Sequence, residues 1–265
     1  MAKTGTHNNR RAPRRSPAEI AELLVSAGRE IALSEGFGYG IEGLSFKKVL
    51  DRIEQVHGIK LAHASIIGRV FENQAEFQST VLASLVEIVG VVELDEVTNA
   101  VLSVLANTDL TSVKSRTYAN LEVIRLGALA NEKVLKDSKL WPMWLSIVAA
   151  DASKVNPDIH ERLNVVLAKD TEDFTSLYQQ IIDYLGFRIR SPYTLEHLTV
   201  AIGSLAEGAV IRGHVIPEHF ERSAMEIDFG YGKKSWSLLG LAIKALSDQM
   251  LEIVPNFSPP ASTAE

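Results

Sequence analysis

Between Lys60 and Arg69 the chain reads KLAHASIIGR. If this segment is helical, Lys60, Ala64, Ser65, Gly68 and Arg69 fall opposite Ile66, Ile67 and Val70, with His63 at the border. Arg69 can hydrogen-bond bidentately to guanine or grip a phosphate, while Ser65 and His63 can reach base edges or backbone. Small residues at 64, 65 and 68 would let the helix backbone approach a groove closely. Ser45, Lys47 and Lys48 open the preceding segment, where free backbone N–H groups and two ammonium groups make a phosphate site. Ser45 also suits an N-cap. Upstream, Arg10, Arg11, Arg14 and Arg15 stand in a stretch without a single acid and suit the narrow minor groove of A·T-rich DNA.

A second set of residues suits an apolar ligand. Tyr118, Trp141, Trp144, Phe174 and Tyr178 are candidate walls of a cavity between helices, although large aromatics also fill ordinary cores. In Trp141-Pro142-Met143-Trp144, the proline starts or kinks a helix, and such breaks open pockets. Enzyme chemistry has no comparable constellation. GYGKKS (230–235) has the look of a phosphate loop, but Ile227 stands where the first glycine is required. Neither G-x-S-x-G nor H-E-x-x-H occurs. His214, Glu218 and His219 have accidental loop spacing rather than a metal-ligand pattern. The chain is therefore expected to be no enzyme and to hold no metal or cofactor.

These residues need helices to position them, and the pattern is helical almost throughout. Ser16-Pro17-Ala18-Glu19 is a capping box with proline at the first helical position, followed by Ile20, Leu23, Leu24, Ala27 and Ile31 at helical spacing. Phe46, Val49, Leu50, Ile53 and Val56 give a second helix one apolar stripe, ended by Gly58. A third is expected over 62–70 with Ala62, Ile66, Ile67, Val70 and Phe71 inward. Asn73 and Glu76 box the start of a fourth, running to about Val92. Further helices are expected over 96–106, 110–137, 140–153, 157–185, 193–212 and 234–253. No stretch alternates long enough to argue a sheet, and 213–234 reads as a loop with a short helical turn.

The composition sets bounds. With 265 residues and 46% apolar content the chain can bury a sizeable core. There is no cysteine, the N-terminus has no apolar signal core, and no apolar run reaches a membrane span, so a cytoplasmic setting is expected. The net charge of −6 is unevenly spread: residues 1–80 hold 11 Lys and Arg against 9 Asp and Glu, and the rest hold 16 against 24. A cationic head on an acidic body attracts phosphate locally while the bulk resists nonspecific collapse onto DNA.

The capped first helix, the helix–turn–helix spacing, Phe71 closing it and Glu76-Phe77 beyond give the chain a pattern that resembles the TetR family of transcriptional regulators. Ser45 stands at that family's threonine, Gly58-Ile59 at its turn and Ile67 at its leucine, and Leu198–Val215 is similar to its penultimate helix. Gly68 replaces a tyrosine and Gln74 a lysine. The second helix is longer by about one turn and the turn after it by about three residues.

The resemblance implies an all-α fold: a basic arm (1–15, expected to be disordered), a three-helix helix-turn-helix DNA-binding domain (16–72), a helical bundle for dimerisation and ligand binding (73–254), and a disordered tail (255–265). It further implies a homodimeric repressor that binds a palindromic double-stranded operator and answers to a small-molecule effector. The alternative is an all-helical small-molecule-binding protein whose N-terminal domain no longer binds DNA.

Overall fold

A computed structural model describes residues 15–35, 43–63, 66–89, 95–138, 140–148, 157–218 and 224–259. The fold is all-α, with two short two-stranded sheets among the described residues: α1 Pro17–Glu35, α2 Phe46–His57, α3 Gln74–Val89, α4 Asp95–Leu105, α5 Val113–Asp137, α6 Trp141–Val148, α7 Pro157–Leu185, β1 Phe187–Ile189, α8 Leu195–Val215, β2 Met225–Asp228, β3 Lys233–Trp236, α9 Leu238–Met250 and β4 Leu251–Ile253. The chain divides into two compact units, residues 1–88 with 146–160 and residues 89–145 with 161–265.

In the first unit, helix starts lie where their caps predict. Ser16 N–H donates to Glu19 Oε2 (2.6 Å) and Glu19 N–H to Ser16 Oγ (3.2 Å), closing the box at α1. Asn73 Oδ1 accepts the Glu76 N–H (3.0 Å) at α3. Leu24, Ala27 and Ile31 of α1, Phe46, Val49 and Ile53 of α2, and Phe77, Val81 and Leu85 of α3 form the core. Phe46 stacks on Phe77 with centroids 4.8 Å apart, and Phe71 meets Phe77 edge-on at 5.4 Å. Such ring pairs are worth ~1 kcal/mol each beyond area burial. A Cβ on Gly28 would lie 2.8 Å from Val81 Cγ2, so glycine is what lets the α1 backbone approach α3 this closely. Val56, expected on the inward stripe, is 56% exposed, because α2 stops one residue later and the core does not extend beneath it.

The helix expected over 62–70 does not form among the described residues. Ile66 C=O accepts N–H bonds from Arg69, Val70 and Phe71, Gly68 N–H donates to Phe71 C=O (2.7 Å), and Gly68 has φ +74°, a left-handed conformation that ends any α-helix there. The reason is burial. Ile66 and Phe71 are both buried, yet residues five apart on a helix lie on different faces. A turn buries both and leaves Ala62 and Ile67 exposed, contrary to the expected inward stripe.

In the second unit, α5 is the central element, packed against α4, α8 and α9. Val101, Ala119, Val123, Ile181 and Leu185 form its core, with Leu177, Tyr178 and Tyr184 against it. The buried Arg116 guanidinium donates to the carbonyls of Leu185 (3.1 Å), Gly186 (3.1 Å) and Val254 (3.3 Å), and Phe257 covers it at 4.8 Å. It thereby fastens the end of α7 to the strand pair β1–β4, which is antiparallel with Arg188 opposite Glu252. Gly186, at φ +66°, has no room for a Cβ, which would meet Arg116 at 2.3 Å and Phe257 at 2.4 Å.

The stretch expected as a loop instead forms the antiparallel hairpin β2–β3, with Met225 opposite Trp236. Correspondingly, the last helix begins at Leu238 rather than Lys234, because Lys233–Trp236 are taken up by β3.

Candidate ligand cavity and nucleic-acid face

On the first unit, Ser45 is an N-cap, its Oγ accepting the Lys48 N–H at 3.3 Å. Lys47 beside it is exposed and has no charged partner among the described residues. Lys48 is not free: its Nζ lies 2.6 Å from Glu35, which Arg52 also reaches at 3.1 Å, and these cations hold the Glu35 carboxyl below the usual range. Lys60, 84% exposed, lies 3.4 Å from Glu54. His63 is exposed with its ring edge-on to Phe46 at 5.7 Å. Arg69 is exposed in the 66–70 turn, with no side-chain partner among the described residues. Arg15 is exposed ahead of α1. Arg10, Arg11, Arg14 and Ser65 lie outside the described residues. The expected face therefore comes down to Lys47, Lys60, His63 and Arg69 carried on a helix start and two turns.

In the second unit, four of the five expected aromatics converge. Trp141 and Trp144 of α6 and Phe174 and Tyr178 of α7 line one cavity of about 190 Å³, together with α5 and α8 residues. Helical period explains the α7 contribution: Asp170, Phe174 and Tyr178 recur every fourth residue and share a face. α6 starts where Ser138 Oγ accepts the N–H groups of Leu140 (3.3 Å) and Trp141 (3.2 Å). A second cavity of about 90 Å³ shares Asn131, Phe174, Tyr178 and Ile202 with the first and is otherwise mostly aliphatic.

Tyr118 lies elsewhere. Its ring packs on Tyr231 at 4.8 Å, and the Tyr231 hydroxyl donates to Lys114 C=O (3.3 Å), so Tyr118 braces the β2–β3 hairpin. At the tip of that hairpin, Asp228 Oδ1 accepts the N–H groups of Gly230 (2.7 Å), Tyr231 (3.0 Å) and Gly232 (3.0 Å). The backbone donors that a phosphate loop would offer are thus already occupied by a carboxylate. Among the described residues no His, Asp or Glu cluster is arranged to hold a metal ion.

Two charged wall residues escaped the sequence reading. Asp170 and Glu207 line the larger cavity, and among the described residues no Lys or Arg does. Neither carboxylate has a hydrogen bond or ion pair among the described residues. Lys169, the nearest cation to Asp170 in sequence, is bound instead to Asp173 at 2.7 Å. Burial, and then repulsion from Asp173, pushes the Asp170 carboxyl up to about 6 against the weaker pull of Lys169. Burial and the charge of Asp170 push Glu207 up, and the same two causes push the Tyr178 phenol up. Asp170 thus couples electrostatically to groups on both α7 and α8. The available sequence signal was an acid on the same face as Phe174 and Tyr178, and another amid the small residues of α8.

No protein-family model and no curated protein matches the chain. Among solved structures, one of a protein from Rhodococcus sp. RHA1, described as a proposed transcriptional regulator, is similar over 86% of this chain and 94% of its own, at 14% identity and a TM-score of 0.38.

Proposed function

We propose that this chain is a ligand-responsive transcriptional regulator of the TetR type. It acts in the cytoplasm as a homodimeric repressor, contacts a palindromic operator through its N-terminal unit and binds a small effector in its C-terminal unit. The observation that carries the reading is the cavity of about 190 Å³ walled by Trp141, Trp144, Phe174 and Tyr178 with two unpaired carboxylates. An ordinary core fills such a space, and an ordinary surface pairs or solvates such charges. Lys47, Lys60, His63 and Arg69 would supply the DNA contacts, and the arm would add phosphate attraction.

A dimer follows from the need to read enough bases, since one helix-turn-helix covers only a half-site. Exposed Ile211 and Val215 on one face of α8, outside the cavity lining, support it. So does Gly208, around which a Cβ would meet nothing within 4 Å. The effector lowers operator affinity only to the extent that it prefers the conformation with the wrong half-site spacing.

The turn at 66–70, standing where a recognition helix is expected, favours the second reading: a ligand-binding helical protein that does not read DNA. Fluorescence polarisation on the chain's own upstream DNA separates the two. The regulator binds that duplex in preference to random duplex, with log affinity falling linearly in log salt. Equal, weak binding to both duplexes would leave only the ligand-binding reading.

A further inference from the structure

We propose that the ligand of the α5–α8 cavity is an amphipathic organic cation, a protonated amine on a flat apolar body, its ammonium held by Asp170 and Glu207. The proposal rests on the reading of this cavity as a small-molecule site. Three features carry it. Among the described residues the charged lining is two carboxylates with no Lys or Arg, so that lining carries negative charge. The remaining walls are mostly aromatic and aliphatic, and the faces of Trp141, Trp144, Phe174 and Tyr178 attract a cation as well as a flat ring. Tyr178 contacts both cavities, and its hydroxyl has no hydrogen-bond partner among the described residues; it offers an oxygen to an ammonium N–H.

The chemistry orders the candidate ligands. An ammonium replaces the water lost by each carboxylate with a charge-assisted hydrogen bond and relieves the repulsion between Asp170 and Glu207. A neutral alcohol of the same shape displaces that water and returns at most one weaker bond. An anion meets two like charges in a poorly solvated site. A cavity of about 190 Å³ has room for a single aromatic ring with a short amino arm, and the adjoining apolar cavity of about 90 Å³ extends that room.

The experiment is isothermal titration of the full-length protein with three matched probes: para-methoxyphenethylamine, para-methoxyphenethyl alcohol and para-methoxyphenylpropionate. Quenching of tryptophan fluorescence, from Trp141 and Trp144, is followed in parallel. The amine should bind at least about tenfold more tightly than the alcohol, and the propionate should not bind. Amine affinity should fall several-fold from about pH 7.5 to about pH 5, as protons occupy Asp170, while alcohol affinity does not fall. In the Asp170→Asn/Glu207→Gln double variant the amine's advantage should vanish, and persistent alcohol binding would show the cavity intact. Equal binding of amine and alcohol to the native protein, or an advantage that survives the double substitution, overturns the cation proposal and leaves a ligand cavity standing. Failure of all three probes to bind overturns both the cation proposal and the ligand-sensing half of the proposed function.

Discussion

Asp170 shows what an unpaired carboxylate does to its own protein. Its carboxyl titrates at about 6 rather than 3.8, chiefly because burial penalises the charged form. Between those values the native state holds more protons than the unfolded state, so stability contributed by this group falls as pH rises through the window and stays lost above it. Asp170→Asn should therefore raise the stability of the ligand-free protein near pH 7, by on the order of 1 kcal/mol once solvent screening of the half-buried carboxyl is discounted, and leave it unchanged below about pH 4. Denaturant melts at the two pH values check this; equal effects at both would mean the residue acts through packing. Glu207, shifted the same way by burial and by Asp170, should change stability in the same direction. A steric test belongs at this scale too. Gly28→Ala, with its Cβ 2.8 Å from Val81, should destabilise the first unit by roughly 1–3 kcal/mol, read as a lower urea midpoint.

At the scale of elements, the turn at 66–71 and β4 stand where helix is expected, and the β2–β3 hairpin stands largely where a loop is expected. In the turn Ile66 C=O accepts three backbone N–H bonds and Gly68 N–H donates to Phe71 C=O, while at the hairpin tip the Asp228 carboxylate accepts three. Asp228→Ala should leave three donors at the hairpin tip without their shared partner. Faster amide hydrogen exchange confined to 225–236 is the expected outcome, at a cost of about 1–2 kcal/mol locally. Protection that is unchanged there would mean that the Tyr118–Tyr231 pair, the Phe229 ring edge-on to Trp236 at 5.1 Å and the strand ladder hold the hairpin without it. In the turn, Gly68→Ala meets open space but must adopt φ +74°. It should destabilise the turn by about 1 kcal/mol, or drive 62–70 toward the helix that its sequence favours. Far-UV circular dichroism distinguishes a loss of stability from a gain of helix. If that gain came with operator binding, the turn would be a state the segment leaves on meeting DNA.

For the whole molecule, the test is association. Val215 is 74% exposed and Ile211 42% on one face of α8. Ile211→Glu with Val215→Glu should convert a dimer to a monomer in sedimentation equilibrium without loss of helix; a dimer that persists would place the interface elsewhere. Sequence by itself determined the all-α class, the capped starts of α1, α2 and α3, the whole of α7 and the aromatic supply of the cavity. Those features rest on contacts within one helical turn and on a repeat visible along the chain. Tertiary structure alone decided that Ile66 and Phe71 are buried together, that Tyr118 braces a hairpin, and that Asp170 of α7 and Glu207 of α8 line one half-buried space. Each of those outcomes depends on groups distant in sequence competing for the same interior, and no local pattern records which of them wins.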